Sequence, residues 1–239
     1  MTWPRYPEYR NTSLPWLGQI PEHWDVRKLK FIASVTLSNV DKKTDENEEP
    51  VRLCNYIDVY YNDFITSELE LMHGSATRTE IEKFTLKRGD VIVTKDSESW
   101  DDIAVPAYVP ADLDGVLCGY HLAIIRADKR ISDGGYLFRA FAARGVNDQF
   151  RVAATGITRY GLGKYWLDNS LFPVPPIDEQ LAIVRFLDRK MARIDQLLVK
   201  VERLAGKLGN TATSLLAEYR TALITAAITG KIDVRKEVS

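Results

Sequence analysis

Two short polar stretches hold the residue types most able to bind or act on something. Thr94–Asp101 (TKDSESWD) mixes hydroxyls, a lysine, carboxylates and a tryptophan. Thr155–Lys164 (TGITRYGLGK) combines three glycines and two threonines with Arg159, Tyr160 and Lys164. Glycines let a backbone approach a groove closely, hydroxyls and amides bind phosphate, and arginine pairs with guanine edges in the major groove. The chemistry these residues suit is therefore contact with nucleic acid. Other chemistries have less support. Asp90 and Asp96 flank Thr94-Lys95 as a nuclease carboxylate pair would, but the pattern reads more simply as a strand followed by a polar loop. His23, His73 and His121 are scattered, which argues against a metal cluster or a Ser-His-Asp constellation. The P-loop and dinucleotide-binding glycine patterns are absent. A DNA methyltransferase would need a cofactor domain and an Asn- or Asp-Pro-Pro-aromatic stretch, and the double proline here follows Val174. The chain is expected to be no enzyme.

The elements that carry these stretches form an α+β unit, a mixed α/β globular domain followed by a long coiled-coil helical arm. Val51–Tyr61, Asp90–Thr94, Ile103–Val109 and Val116–Arg126 are rich in β-branched and aromatic residues and read as strands. Arg88-Gly89-Asp90, Asp112–Gly115 and Gly134-Gly135 read as turns. Arg27–Val35 and Tyr136–Ala143 read as short helices. Strands and helices mix without regular alternation, so a doubly wound sheet is not expected. The prolines of Phe172–Pro176 divide the chain into residues 1–176, the globular unit, and residues 177–239, the arm.

The arm is read from spacing. Val184, Leu187, Met191, Ile194, Leu198, Val201, Ala205 and Leu208 are separated alternately by three and four residues, and Ala212, Leu215, Tyr219, Ala222 and Ala226 continue the phase. Such a 3.5-residue repeat implies supercoiling against a partner helix. About fifty residues would give an arm of roughly 75 Å. Asp178 and Glu179 suit the first turn, and Gly230 suits the stop. Gly206, Gly209, Asn210, Thr211 and Thr213 are poor helix formers, so the arm either kinks there or turns between two antiparallel helices. Because the apolar phase survives the gap, one helix is the favoured reading. Leu181, Ile183, Leu197 and Leu204 lie off the seam and either widen it or form a second docking face.

The chain's 239 residues, 45% hydrophobic and 27% charged, fit one or two ordinary domains. No apolar run reaches transmembrane length, and the first residues lack a signal peptide's apolar stretch. No membrane association is expected. Cys54 and Cys118 are far apart in sequence and read as strand-core thiols, consistent with a reducing cytoplasm. The net charge of −1 argues against a chain that binds nucleic acid unaided. Locally the balance differs: Asp41–Glu49 is an acidic solvated loop, whereas Arg126–Lys164 is rich in arginine and lysine.

Three segments carry a family likeness. Trp16–Leu29 (WLGQIPEHWDVRKL) resembles the opening segment of the specificity subunits of type I restriction–modification systems. Thr155–Asp188 resembles that family's join between target-recognition domain and helix, with Pro-Pro-x-x-Glu-Gln followed by Ala-Ile-x-x-Phe-Leu-Asp. Thr221–Arg235 (TALITAAITGKIDVR) is similar to the close of the same helix. The resemblance implies a non-catalytic reader of double-stranded DNA that docks methylase subunits, and restriction subunits through them. S-adenosylmethionine and ATP would belong to those partners, so no cofactor is expected on this chain. Family members usually carry two recognition domains and two helices; one of each suggests a half-subunit or a fragment. A half-subunit would pair as a homodimer and read an interrupted palindrome.

On this reading the DNA contacts are Lys95, Ser97, Trp100, Thr158, Arg159, Tyr160 and Lys164, with Tyr120 and His121 behind them. The bland alternative places Trp100 over a core edge and makes Tyr120 and His121 plain strand residues. Dimerisation would use Val184, Leu187, Met191, Ile194, Leu198, Val201, Leu208, Leu215 and Tyr219. Methylase docking would use Leu181, Ile183, Leu197 and Leu204. Two other classes stay open: a standalone DNA-binding regulator, and a coiled-coil interaction protein that never touches DNA.

Overall fold

A computed structural model describes residues 3–204 and 209–236, and the side chains among them outside 202–204, 209–210 and 236. The chain opens with a hairpin of β1 (Tyr9–Asn11) and β2 (Gln19–Pro21), then β3 (Asp25–Lys28), a single turn of 3-10 helix at Leu29–Phe31, and β4 (Ala33–Leu37). The helix expected over Arg27–Val35 is thus mostly strand. Val35 and Ala33 alternate inward along β4, a period of two that the apolar content alone conceals. Next come β5 (Glu49–Cys54), α1 (Tyr56–Tyr61), β6 (Met72–Ala76) and α2 (Arg78–Phe84). The strand expected over Val51–Tyr61 stops at Cys54, because Asn55 and Asp58 form a reciprocal capping box that starts a helix.

The middle of the chain supplies β7 (Asp90–Thr94), β8 (Asp96–Ser97), β9 (Pro106–Tyr108), β10 (Val116–Cys118) and β11 (Leu122–Ala127). Strands were expected over Ile103–Val109 and Val116–Arg126; the first shrinks to β9, and the second is broken at Gly119–His121 into β10 and β11. Helices α3 (Gly134–Ala142) and α4 (Arg144–Ala153) follow, then β12 (Tyr160–Gly161), α5 (Lys164–Asn169) and β13 (Leu171–Val174). The arm consists of α6 (Ile177–Leu204) and α7 (Gly209–Ile228).

An antiparallel sheet in the order β4-β11-β7-β9 divides the interior. Val91, Val93, Ala123 and Ile125 face the helices, while Ile92, Leu122 and Ile124 face the smaller sheet β10-β5-β6. Both faces are covered, which is why β7 is apolar at successive positions rather than alternating. Each such branched side chain contributes about 1.5–3 kcal/mol by leaving water. Cys54 and Cys118 are register partners in the parallel pair β5–β10; both thiols are free and buried, and burial pushes their pKa values up.

The arm departs from the favoured single helix. α6 and α7 pack against each other, Arg220 on α7 reaches Asp195 on α6 at 3.2 Å, and both ends of the pair return to the start of the chain. At 1.5 Å per residue the 28 residues of α6 extend roughly 42 Å, not 75 Å. Ala205, Gly206 and Leu208 lie outside the described residues, as does the side chain of Leu204. Within one chain α6 therefore has a helical partner in the other half of the arm.

This arm shares its core with the globular unit. Ile183, Phe186, Leu187, Met191 and Ile194 of α6 and Leu223, Ile224, Ala227 and Ile228 of α7 join the same apolar cluster as Ile20, Trp24, Tyr136 and Phe172. The Pro-Pro-x-x-Glu-Gln join explains how. Glu179 is buried, accepting a short hydrogen bond from Tyr6 Oη and pairing with His23 Nε2 at 2.8 Å. Gln180 bonds the main chain of Ile131, Asp133 and Pro175. At the far end, Tyr9 Oη donates to Gly230 O at 3.0 Å and Asp233 N donates to Pro4 O at 2.8 Å. Among the described residues no helix is long and apolar enough to cross a membrane.

Candidate nucleic-acid interface

The two polar stretches singled out in the sequence meet. Tyr160 pairs with Ser97 and Gly161 with Asp96, so β12 lies antiparallel to β8. Leu162 N donates to Lys95 O at 2.7 Å, and Lys95 N donates to His121 O at 3.0 Å. Residues from three distant parts of the chain are thereby held at one edge beyond β7. The base of the first loop is pinned by Thr94 Oγ1, which donates to Asp102 O at 2.8 Å and accepts from Val105 N at 3.0 Å.

The second loop is closed by reciprocal main-chain bonds between Thr155 and Gly161, of 3.2 and 2.9 Å. Gly156 makes that closure possible. A β-carbon there would stand 1.9 Å from Arg159 O, far inside van der Waals contact, so no other residue fits without opening the loop. Ile157, Thr158 and Arg159 form the exposed tip.

The expected site residues divide by exposure. Trp100, Tyr120, Thr158, Arg159 and Lys164 are exposed, and Tyr160 and His121 are partly so. Lys95 and Ser97 are buried. Lys95 Nζ binds Asp96 at 2.6 Å and lies 4.7 Å over the Tyr120 ring. Ser97 Oγ accepts from Ser99 N at 3.1 Å and bonds Tyr56 Oη at 3.3 Å. These two side chains hold the edge in shape rather than project from it. Lys164 is bound to Asp168 one turn along α5, at 2.7 Å.

The sequence reading missed α1. Tyr56 and Tyr60 stack at 5.6 Å, Tyr60 Oη reaches Asp102 at 3.3 Å, and Tyr61 is exposed beside them. The Asn55-x-x-Asp58 capping pattern was the available signal. Much of the basic weight of Arg126–Lys164 is also offset by pairing. Arg126 is paired with Asp90, Arg130 with Asp128, Arg139 with Asp188 and Arg151 with Asp148. The edge is mixed in sign, with Asp101 held below the usual carboxylate range by the hydroxyl of Ser99. Carboxylates accept from cytosine amino groups and guanidinium pairs with guanine, so mixed polarity suits base edges better than phosphates alone.

Asp96 also pairs with His121 Nδ1 at 3.2 Å, two thirds of a hydrolytic constellation. Ser97 does not complete it. Strand alternation aims its hydroxyl away from Asp96, toward Tyr56. Among the described residues no group of three or more histidine, cysteine or acidic side chains is placed to hold a metal.

No family model matches the chain. A curated relative does: the type I restriction enzyme MjaX specificity subunit of Methanocaldococcus jannaschii is 22% identical over 172 residues, covering 72% of this chain and 40% of that protein. The HsdS subunit from Thermoanaerobacter tengcongensis superposes with a TM-score of 0.58 at 19% identity, covering 77% of this chain and 46% of that one. The fold is that of the type I specificity subunits. A further solved structure, of a type I restriction–modification system, matches with a TM-score of 0.55 at 14% identity over 89% of this chain and 47% of that one. The chain thus spans less than half the length of each relative. Within this specificity-subunit fold, the helical arm and the β8–β12 edge lie in one continuous stretch of sequence.

Proposed function

We propose that this chain is a DNA-reading specificity subunit of a type I restriction–modification complex, with the β8–β12 edge as its contact surface. The observation that carries the reading is the convergence of two polar loops, far apart in sequence, on one braced edge of a specificity-subunit fold. The chain performs no chemistry itself. It positions methylase subunits on adenine in double-stranded DNA and restriction subunits through them; those partners bind S-adenosylmethionine and ATP, and the complex works in the cytoplasm. Fluorescence anisotropy with duplex DNA and the chain in the presence of its methylase tests the reading: specific binding that depends on the chain and weakens steeply with salt supports it, and no such binding at low salt contradicts it.

Two copies pair through the arms and read a bipartite site. The hairpin changes which residues do this. Leu187, Met191 and Ile194 are buried within the chain's own core, and Ile183 is fully buried, so none is free for a partner. Leu215 and Tyr219, 60% and 48% exposed, form an uncovered stripe on α7, with Leu181 and Leu197 exposed on α6. Val184, Leu198 and Val201 are partly covered. Substituting Leu215 and Tyr219 by glutamate is expected to convert a dimer to a monomer in light scattering with little change in Tm. A dimer that survives but no longer binds methylase would assign this stripe to docking instead.

A further inference from the structure

We infer that Ile157 reads the C5 methyl group of a thymine in the recognised half-site. The inference rests on the DNA-reading function proposed above and assigns a residue to it that the polar pattern of the loop conceals. Ile157 is 94% exposed at the tip of the Thr155–Gly161 loop, immediately before the exposed Thr158 and Arg159. The tip is not a slack excursion. It is closed by the reciprocal Thr155–Gly161 bonds, folded so tightly that Gly156 admits no side chain, and braced through β12 to Ser97 and Asp96. A braced loop therefore holds a large apolar side chain in water, where it adds nothing to the fold.

The chemistry of the two sides matches. The thymine methyl is the one apolar group that an unmodified base presents in the major groove, and it sits beside the acceptors and donors that threonine and arginine address. A β-branched side chain has a stiff first torsion, so little rotamer freedom is lost when it is covered. Arg159, two residues along the same tip, would bond a base edge or phosphate while Ile157 excludes water from the neighbouring methyl.

The test is a uracil scan. Duplexes carrying the chain's site have each thymine replaced in turn by deoxyuridine, which removes only the methyl group, and are titrated with the full chain in the presence of its methylase. One position is expected to weaken wild-type binding by about three- to tenfold, the scale of one buried methyl group. In Ile157→Ser that penalty disappears, the thymine duplex itself binds more weakly, and Ile157→Val keeps most of the discrimination. A flat scan in a wild type that still selects its site overturns the inference alone, as does a uracil penalty unchanged in Ile157→Ser. A wild type that selects no site overturns the DNA-reading function and the inference with it.

Discussion

Gln180→Ala is expected to lower the unfolding free energy by about 3–5 kcal/mol, although the change removes only a small polar side chain. Gln180 is fully buried at the first turn of α6. Its Oε1 accepts from Asp133 N at 2.9 Å, and its Nε2 donates to Ile131 O and to Pro175 O, each at 2.9 Å. One carboxamide thus satisfies three main-chain groups where the turn before α3, the proline join and the arm meet. Alanine leaves all three without a partner, and each such group costs about 1–3 kcal/mol when it stays dry. Urea unfolding measures the loss, with Gln196→Ala, on an exposed position of the same helix, as the control. A loss under about 1 kcal/mol would mean that water replaces the side chain, and that the join is wetter than its burial implies.

The second large effect concerns function. Arg159→Ala is expected to cost roughly 1–3 kcal/mol of specific DNA binding and to relax selection at one base position, with folding stability unchanged. Arg159 is exposed at a tip whose main chain is fixed on both sides, so under the proposed function its guanidinium would meet a base edge without first ordering the loop. Lys95→Ala should differ in kind. Lys95 is buried against Asp96 and Tyr120, and its loss leaves a carboxylate short of its cation and loosens the edge as a whole. Anisotropy titrations with cognate and scrambled duplexes at one salt concentration separate the two. Unchanged affinity and site preference in Arg159→Ala would remove this residue from the interface.

How much of this was legible in the sequence depends on whether local or distant residues decide the structure. The strand Asp90–Thr94 and the proline join were legible because both are local: a β-branched run covered on two sides, and prolines that end an extended segment. The helix over Tyr56–Tyr61 was not, because its tyrosines and valine have strand propensity and a four-residue capping box overrides them. The hairpin in the arm was not legible from heptads alone. A 3.5-residue repeat demands a partner helix but does not say whether that partner is another chain or the next segment of the same one. On α7 the buried residues Leu223, Ile224, Ala227 and Ile228 all fall outside the expected phase, leaving Leu215 and Tyr219 in water.

The candidate site shows the same division. Both loops were identifiable from composition, since glycine, hydroxyl, amide and arginine residues advertise polar contact. Their pairing was not, because β8–β12 joins positions more than sixty residues apart through only two residue pairs. Burial then separated residues that composition had grouped. Lys95 and Ser97 brace the edge, while Thr158, Arg159 and Ile157 project from it.

The central claim is that this edge selects a DNA sequence on behalf of a methylase, and methylome sequencing tests it most directly. Cells expressing the chain with its methylase should carry methylated adenine at one interrupted palindrome, and Arg159→Ala should blur the same base in both halves. Two unrelated half-sites would contradict pairing of identical chains. Adenine methylation that does not depend on the chain, or that Arg159→Ala and Ile157→Ser leave unaltered, would contradict the claim itself.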